Sequence, residues 1–353
     1  MTHYDPKLAA AARVPVADDP AMLRAAAELA RDLAAPRPGI YWADMLASAA
    51  IGYAGLAGAI LLPDVLPALA CALVAVLALY RASSFIHEIT HIRRGALPGF
   101  RLGWNLAVGI PLLIPSFMYE DVHTQHHART RYGTVQDPEY LPLALMKPWS
   151  LPLFIVAAAL LPIGVLLRFG ILAPLSLVIP PLRRMLVERY SALSINPAYR
   201  RRAPEGDFAR SWAWQEAGAA VWAIALMTSV TVLGWKPLLV FMGVHSVVAV
   251  VNQLRTLVAH LWENEGDAMS VTAQYLDSVN VPPPSRLAAL WAPVGLRYHA
   301  LHHLLPSVPY HNLGIAHHRL AKMVEQDSPY HRGNYSGMLP LIGKIARSTM
   351  VRR

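Results

Sequence analysis

Four apolar stretches of bilayer length set the plan of the chain. Trp42 to Leu62, Val65 to Ile86, Trp212 to Leu233 and Leu238 to about Leu261 each carry the ~20 apolar residues that a hydrocarbon core requires. Pro63-Asp64 turns the first pair, and Gly234-Trp235-Lys236-Pro237 turns the second. Leu102 to Met118 is also apolar, but Pro111 and Pro115 interrupt it, which predicts a re-entrant or interfacial hairpin that returns to the side it left. Leu151 to Leu167 and Ile171 to Pro181 are divided by Arg168 and Gly170; they read either as a hairpin or as a helix lying in the interface. Ahead of all these, Asp19-Pro20 caps a short helix from Ala21 to Ala35, which Pro36-Arg37-Pro38-Gly39 ends.

The expected fold is an all-α integral membrane protein, a four-helix-type transmembrane bundle with a cytoplasmic helical cap. The expected divisions are an N-terminal cytosolic or interfacial segment (1–38), a membrane domain (39–330) and a basic tail (331–353) ending in Arg352-Arg353.

Composition sharpens this picture. The chain is 55% hydrophobic and 15% charged, where a soluble domain carries about 25% charged residues. The net charge of +9 comes from arginines beside the apolar runs, such as Arg93, Arg94, Arg129, Arg131, Arg183, Arg184 and Arg200 to Arg202. That placement follows the positive-inside rule, puts this side in the cytoplasm and makes nucleic acid an unneeded partner, while the alanine- and arginine-rich usage is compatible with a bacterial inner-membrane protein. A single cysteine, Cys71, excludes a disulfide framework, a cysteine zinc site and a cysteine-ligated cluster. No secretory signal precedes the first apolar run.

Fifteen histidines carry the candidate chemistry. His299, His302 and His303 stand at i, i+3 and i+4, as do His123, His126 and His127, and His87 and His91 stand at i, i+4. On a helix such spacings share a face, so each group offers a metal several imidazoles from little backbone. All three clusters fall at the cytoplasmic ends of apolar segments, where they can converge. With His260, near the end of the last span, they make nine ligands, enough for two metals.

Three other readings compete. His87-Glu88-Ile89-Thr90-His91 matches the H-E-x-x-H pattern of zinc proteases, with Glu88 as base. Glu88-x-x-His91 and Glu120-x-x-His123, with Glu216 and Glu263, would suit a carboxylate-bridged di-iron bundle. A metal transporter is the non-catalytic reading, but the histidines sit at helix ends rather than at the midplane. The first two leave most histidines without a role, since one zinc takes only about four ligands.

The three clusters resemble the histidine boxes of the membrane fatty acid desaturase and hydroxylase superfamily. The short first box is closest to the sphingolipid desaturase and carotenoid ketolase branches. Asp137-Pro138-Glu139 after the second box and Leu305-Pro306-Ser307-Val308-Pro309 after the third are similar too. The resemblance spans roughly residues 42 to 320 and implies a di-iron centre that uses O2 and two electrons on an unactivated C–H bond. His87, His91, His123, His126, His127, His260, His299, His302 and His303 would be the ligands. In acyl-CoA desaturases an asparagine one turn before the ninth histidine joins the site through water; here Thr256 holds that place and Asn252 lies a turn further back.

Asp137, Glu88 and His311 are further candidates beside the ligands, Asp137 as acceptor for an imidazole N–H. His245 reads as a packing or substrate-path residue, and His317 and His318 as a solvated helix face. The expected activity is desaturation of a lipid-like acyl chain, with hydroxylation or ketolation of a lipid or isoprenoid as the alternative. With no haem domain or flavin fingerprint in the sequence, a separate ferredoxin, rubredoxin or cytochrome-type donor is expected.

Overall fold

A computed structural model describes residues 16–93, 95–141, 143 and 146–348. The first fifteen residues, Arg94 and the Arg352-Arg353 tail lie outside the described residues. Among the described residues the chain is helical, with only isolated β-bridges. Among the described residues, four helices are each long and apolar enough to cross a membrane: α2 (Pro38–Leu61), α3 (Val65–His91), α5 (Gly206–Leu233) and α6 (Trp235–Leu257). Three shorter elements and the amphipathic α1 (Pro20–Leu33) build the end of the bundle where the histidines gather: α4 (Val122–His126), α7 (His299–Leu304) and α8 (Tyr310–Met323).

Helix α1 begins as its sequence predicts. The Asp19 carboxylate accepts from the backbone N–H groups of Ala21 (3.0 Å) and Met22 (3.2 Å), and Pro20 takes the first turn. Its Met22, Ala26 and Leu29 pack with Leu313, Ala316 and Leu320 of α8, so the N-terminal helix belongs to the cap. In the bundle α2 and α3 approach closely through Gly52, Gly55 and Gly58. A Cβ at Gly55 would lie 2.8 Å from the Cys71 carbonyl oxygen and 2.9 Å from the Ala75 nitrogen, a contact only glycine permits.

The Leu102–Met118 region is a reversal, as its prolines predict. A helical turn (Phe100–Trp104) runs into a π-turn (Asn105–Gly109), the chain folds back through Leu113 at φ 56°, and a 3-10 turn (Ser116–Met118) follows. Buried Asn105 ties the two limbs: its Oδ1 accepts from Ser116 N (2.8 Å) and its Nδ2 donates to Ser116 Oγ (2.9 Å). These bonds satisfy backbone that an open loop would leave bare in lipid.

Two expectations need correction. The apolar stretch 150–176 breaks at Leu160, where Ser150–Ala159 and Leu161–Ser176 meet at 53°, and not at Arg168 and Gly170. Pro162 stands in the first turn of the second segment, where its missing N–H costs nothing. Arg168 instead lies in a continuous π-turn (Arg168–Leu172) and is buried. Its guanidinium donates to Glu216 (2.6 Å) and the Tyr190 carbonyl (2.9 Å), and Arg183 holds the other Glu216 oxygen (2.6 Å). Glu216→Ala leaves Arg168 buried and unpaired, so we expect a loss of about 3–5 kcal/mol, seen as a lower unfolding temperature of the detergent-solubilised protein.

The second correction concerns His260, which is not on the last membrane helix. Helix α6 ends at Leu257, and His260 follows in an extended bridge to Ser278. There Leu261 N–H donates to the Asp277 carbonyl (2.7 Å) and Val279 N–H to the Ala259 carbonyl (3.0 Å). The backbone bonds pass from helix to bridge, and the ring is turned toward the cap.

Candidate metal centre

The histidines converge. Helix α3 brings His87 and His91 at its end, α4 brings His123 and His126 with His127 as its C-cap, and α7 brings the last three. They sort into two sets: His87, His91, His123, His127 and His302 in one, and His126, His260, His299 and His303 in the other. Within each set one ring nitrogen per residue lies within 4.8 Å of all the rest. The sorting follows helix geometry. Residues i and i+4 differ by only about 40° around the axis, so 87/91, 123/127 and 299/303 stay together. Each i+3 residue points about 60° to the other side and joins the opposite set. The two sets touch where His127 stacks on His303, ring centroids 4.2 Å apart.

The donor set fits a pair of metal ions. Inward-facing Nε2 atoms crowd together: His302 lies 3.0 Å from His91 and 3.2 Å from His127, His123 lies 3.0 Å from His127, and His299 lies 3.0 Å from His260 and 3.2 Å from His303. Burial holds His123, His127, His260, His299, His302 and His303 well below the ordinary imidazole range, so these rings are neutral. Neutral rings whose Nδ1–H points outward aim bare lone pairs at one another, which is repulsive unless cations lie between them. Neither set includes a thiolate or a carboxylate.

Outside the rings, acceptors fix the tautomers. Asp137, fully buried, accepts from His126 Nδ1 with both oxygens (2.9 and 3.0 Å). Glu139 accepts from His123 Nδ1 (2.9 Å) and from the Tyr119 hydroxyl (2.7 Å). At His260 the Tyr132 hydroxyl lies 2.8 Å from Nδ1 and donates to Asp277 (2.9 Å). Burial pushes Glu139 up to about 7 and Asp277 up to about 6. Burial also depresses His126, but Asp137, Glu139 and Asp277 outweigh it and raise that ring's proton affinity.

Tyr132→Phe removes the bridge between Asp277 and His260. We expect metal retention in the four-histidine set to fall about tenfold in a chelator competition, with the five-histidine set unaffected.

Other candidates land elsewhere. Glu88 accepts from the Tyr41 hydroxyl (2.5 Å) and the Tyr310 N–H (3.1 Å), and lies 3.8 Å from His87 Nδ1, beyond hydrogen-bond reach. Asn252 is exposed and accepts from Arg255 (3.2 Å), and Thr256 is half-buried with no hydrogen bond to any of the nine rings. His311 accepts from the Arg37 N–H (3.1 Å) and so clasps the α1–α2 junction. His245 is buried within α6, its ring edge-on to Phe241. His318 is exposed, but His317 is no solvated residue: it is half-buried, with Nδ1 2.7 Å from the Tyr330 hydroxyl. Of the carboxylates nominated for a ferritin-like centre, Glu120 is bound to Arg101 and Ser116, Glu216 to Arg168 and Arg183, and Glu88 to tyrosines.

Sequence reading missed Tyr119, Tyr132, Glu139 and Asp277 as site residues. Tyr119 stands four residues before His123, a legible helical spacing; Asp277 enters through the bridge to His260, which has no local signature.

An all-helical membrane bundle ending in two all-histidine sets is the architecture of a lipid-modifying oxidoreductase, and the chain belongs to the fatty acid desaturase family, whose model matches residues 63–334. Among its relatives is a ceramide hydroxylase of Caulobacter vibrioides (strain NA1000 / CB15N), 48% identical over 334 residues, which cover 94% of this chain and 95% of that protein. No solved structure matches the chain.

Proposed function

We propose that the protein is an O2-dependent hydroxylase of ceramide-type lipids, with two iron ions held by the five- and four-histidine sets. The near end-to-end likeness to a ceramide hydroxylase carries this reading. It reverses the order expected from sequence, where desaturation stood first. Bound iron would supply the activation of O2. In the overall reaction one oxygen atom enters a C–H bond, the other leaves as water, and two electrons and two protons are consumed.

The chain's own groups prepare the site. Asp137, Glu139 and the Tyr132–Asp277 pair orient His126, His123 and His260, so that their Nε2 atoms face inward. Burial of six of the nine rings keeps bulk water away. The sets lie at one end of apolar helices, which suits a substrate whose chains sit in the bilayer. The electrons come from a separate ferredoxin, rubredoxin or cytochrome-type donor. Exposed Arg184, Arg189, Arg200 and Arg202 offer an acidic donor a docking face and support a cytoplasmic position for this end, in a bacterial inner membrane. A zinc protease is disfavoured because the Glu88 carboxylate is occupied by Tyr41 and Tyr310.

Expression in a ceramide-producing host, followed by mass spectrometry of the lipids, tests the reading. Ceramides heavier by one oxygen support it. Ceramides lighter by two hydrogens, with no oxygen gained, return the protein to the desaturases.

A further inference from the structure

A cavity of about 510 Å³ opens between the last turn of α3 and the first turns of α5, within the ~300–1,000 Å³ range of ligand pockets. None of the nine histidines lines it. Ile89 does, and two residues after His87 it stands on the opposite face of α3, so the cavity opens away from the two metal sets. Both helices outrun a hydrocarbon core: their 27 and 28 residues rise about 40 Å, against a core of ~30 Å. Charged Arg93, Asp207 and Arg210 mark this end as the one that emerges into the headgroup layer. Exposed Trp214, on the cavity wall, suits the same depth.

The wall joins apolar Ile92, Leu102 and Phe208 to two guanidiniums and one carboxylate. Asp207 is already paired with Arg210, one turn along α5. Arg101 pairs through Nη1 with Glu120 and donates through Nη2 to the Ile89 carbonyl (3.2 Å), which leaves some of its five N–H groups spare. Arg93 is exposed, and its side chain makes no hydrogen bond or ion pair among the described residues. The wall thus carries one cation in excess, beside apolar surface, at headgroup depth. Basic pockets between membrane helices hold anionic headgroups in this way. A neutral ceramide would leave the Arg93 charge without a counter-ion, whereas a phosphodiester supplies one, and guanidinium groups match phosphate oxygens. We infer that the cavity binds an anionic glycerophospholipid, its phosphate on Arg93 and the spare N–H groups of Arg101, its upper acyl chain along Ile92, Leu102 and Phe208. This is a second lipid site, apart from the metal centre and independent of the ceramide reading. Arg101 joins it to backbone between His87 and His91 and to Glu120, three residues before His123, so a bound phosphate steadies both segments.

The test titrates full-length protein in detergent with dioleoylphosphatidylglycerol or dioleoylphosphatidylcholine and counts bound lipid by native mass spectrometry. The wild type should hold one phosphatidylglycerol at least about fivefold more tightly than phosphatidylcholine. Arg93→Gln, a change at an exposed and unpaired side chain, should lose that preference. Arg319→Gln, which removes an exposed arginine of α8, should keep it. Phosphatidylglycerol should also raise the unfolding temperature of the wild type and not that of Arg93→Gln. Equal retention of the two lipids overturns the inference. So does a loss in Arg319→Gln that matches the loss in Arg93→Gln, the mark of a diffuse basic surface. Inorganic phosphate that displaces the lipid as well as phosphatidylglycerol itself does would leave an anion site with no part for the chain, and overturns the lipid assignment. Ceramide that displaces it equally well would make the cavity an entry for substrate, and overturns it too. No turnover enters these readouts, so the hydroxylase reading stands or falls separately.

Discussion

His302→Ala should retain about one metal ion per chain where the wild type holds about two, and should form at least ~100-fold less hydroxylated product, since even outer partners of metal ligands are worth 10–100-fold. His302 is central to the five-histidine set: its Nε2 faces those of His91 and His127, and its ring lies 4.4 Å from those of both His87 and His91. His303→Ala should give the same stoichiometry by emptying the other set, because its Nε2 faces His299 at 3.2 Å. Elemental analysis of the purified variants, with lipid analysis of the cells, checks both. Loss of both metals in either variant would mean that the sets do not load independently.

Asp137→Ala is expected to cost both stability and metal. The carboxylate accepts from His126 Nδ1, from Gly133 N–H (2.9 Å) and from Glu139 N–H (2.8 Å), so its removal strands two buried donors and a partly buried one. The expected loss is about 3–5 kcal/mol, with metal affinity down by roughly 10–100-fold. Asp137→Asn separates the two roles. It keeps the turn and one acceptor oxygen, so the fold should survive, while metal affinity still falls about tenfold. If Asp137 only shaped the turn before Pro138, the asparagine variant would hold metal like the wild type. Unfolding temperature and chelator competition give the two readouts.

Much of this architecture is written locally. The four spans, the proline-broken reversal at 102–118 and the Asp19 cap follow from residue type and spacing, because each depends on near neighbours in the chain. The histidine clusters were legible for the same reason, and their i, i+3, i+4 spacing even encodes how they divide between the sets. What escaped was non-local. Arg168 looked like a break in an apolar run until Glu216, on another helix, supplied its partner. His260 looked helical until the backbone of 277–279 drew it into a bridge. The groups that orient the rings, Tyr132 and Asp277 above all, lie 128 residues before and 17 after the histidine they serve, and no periodicity marks them.

Iron stoichiometry and coordination test the central claim most directly. Protein loaded anaerobically with ferrous iron should bind about two ions per chain, and X-ray absorption should show a shell of nitrogen or oxygen scatterers without sulfur. A protein that binds one zinc ion per chain and no iron would contradict it.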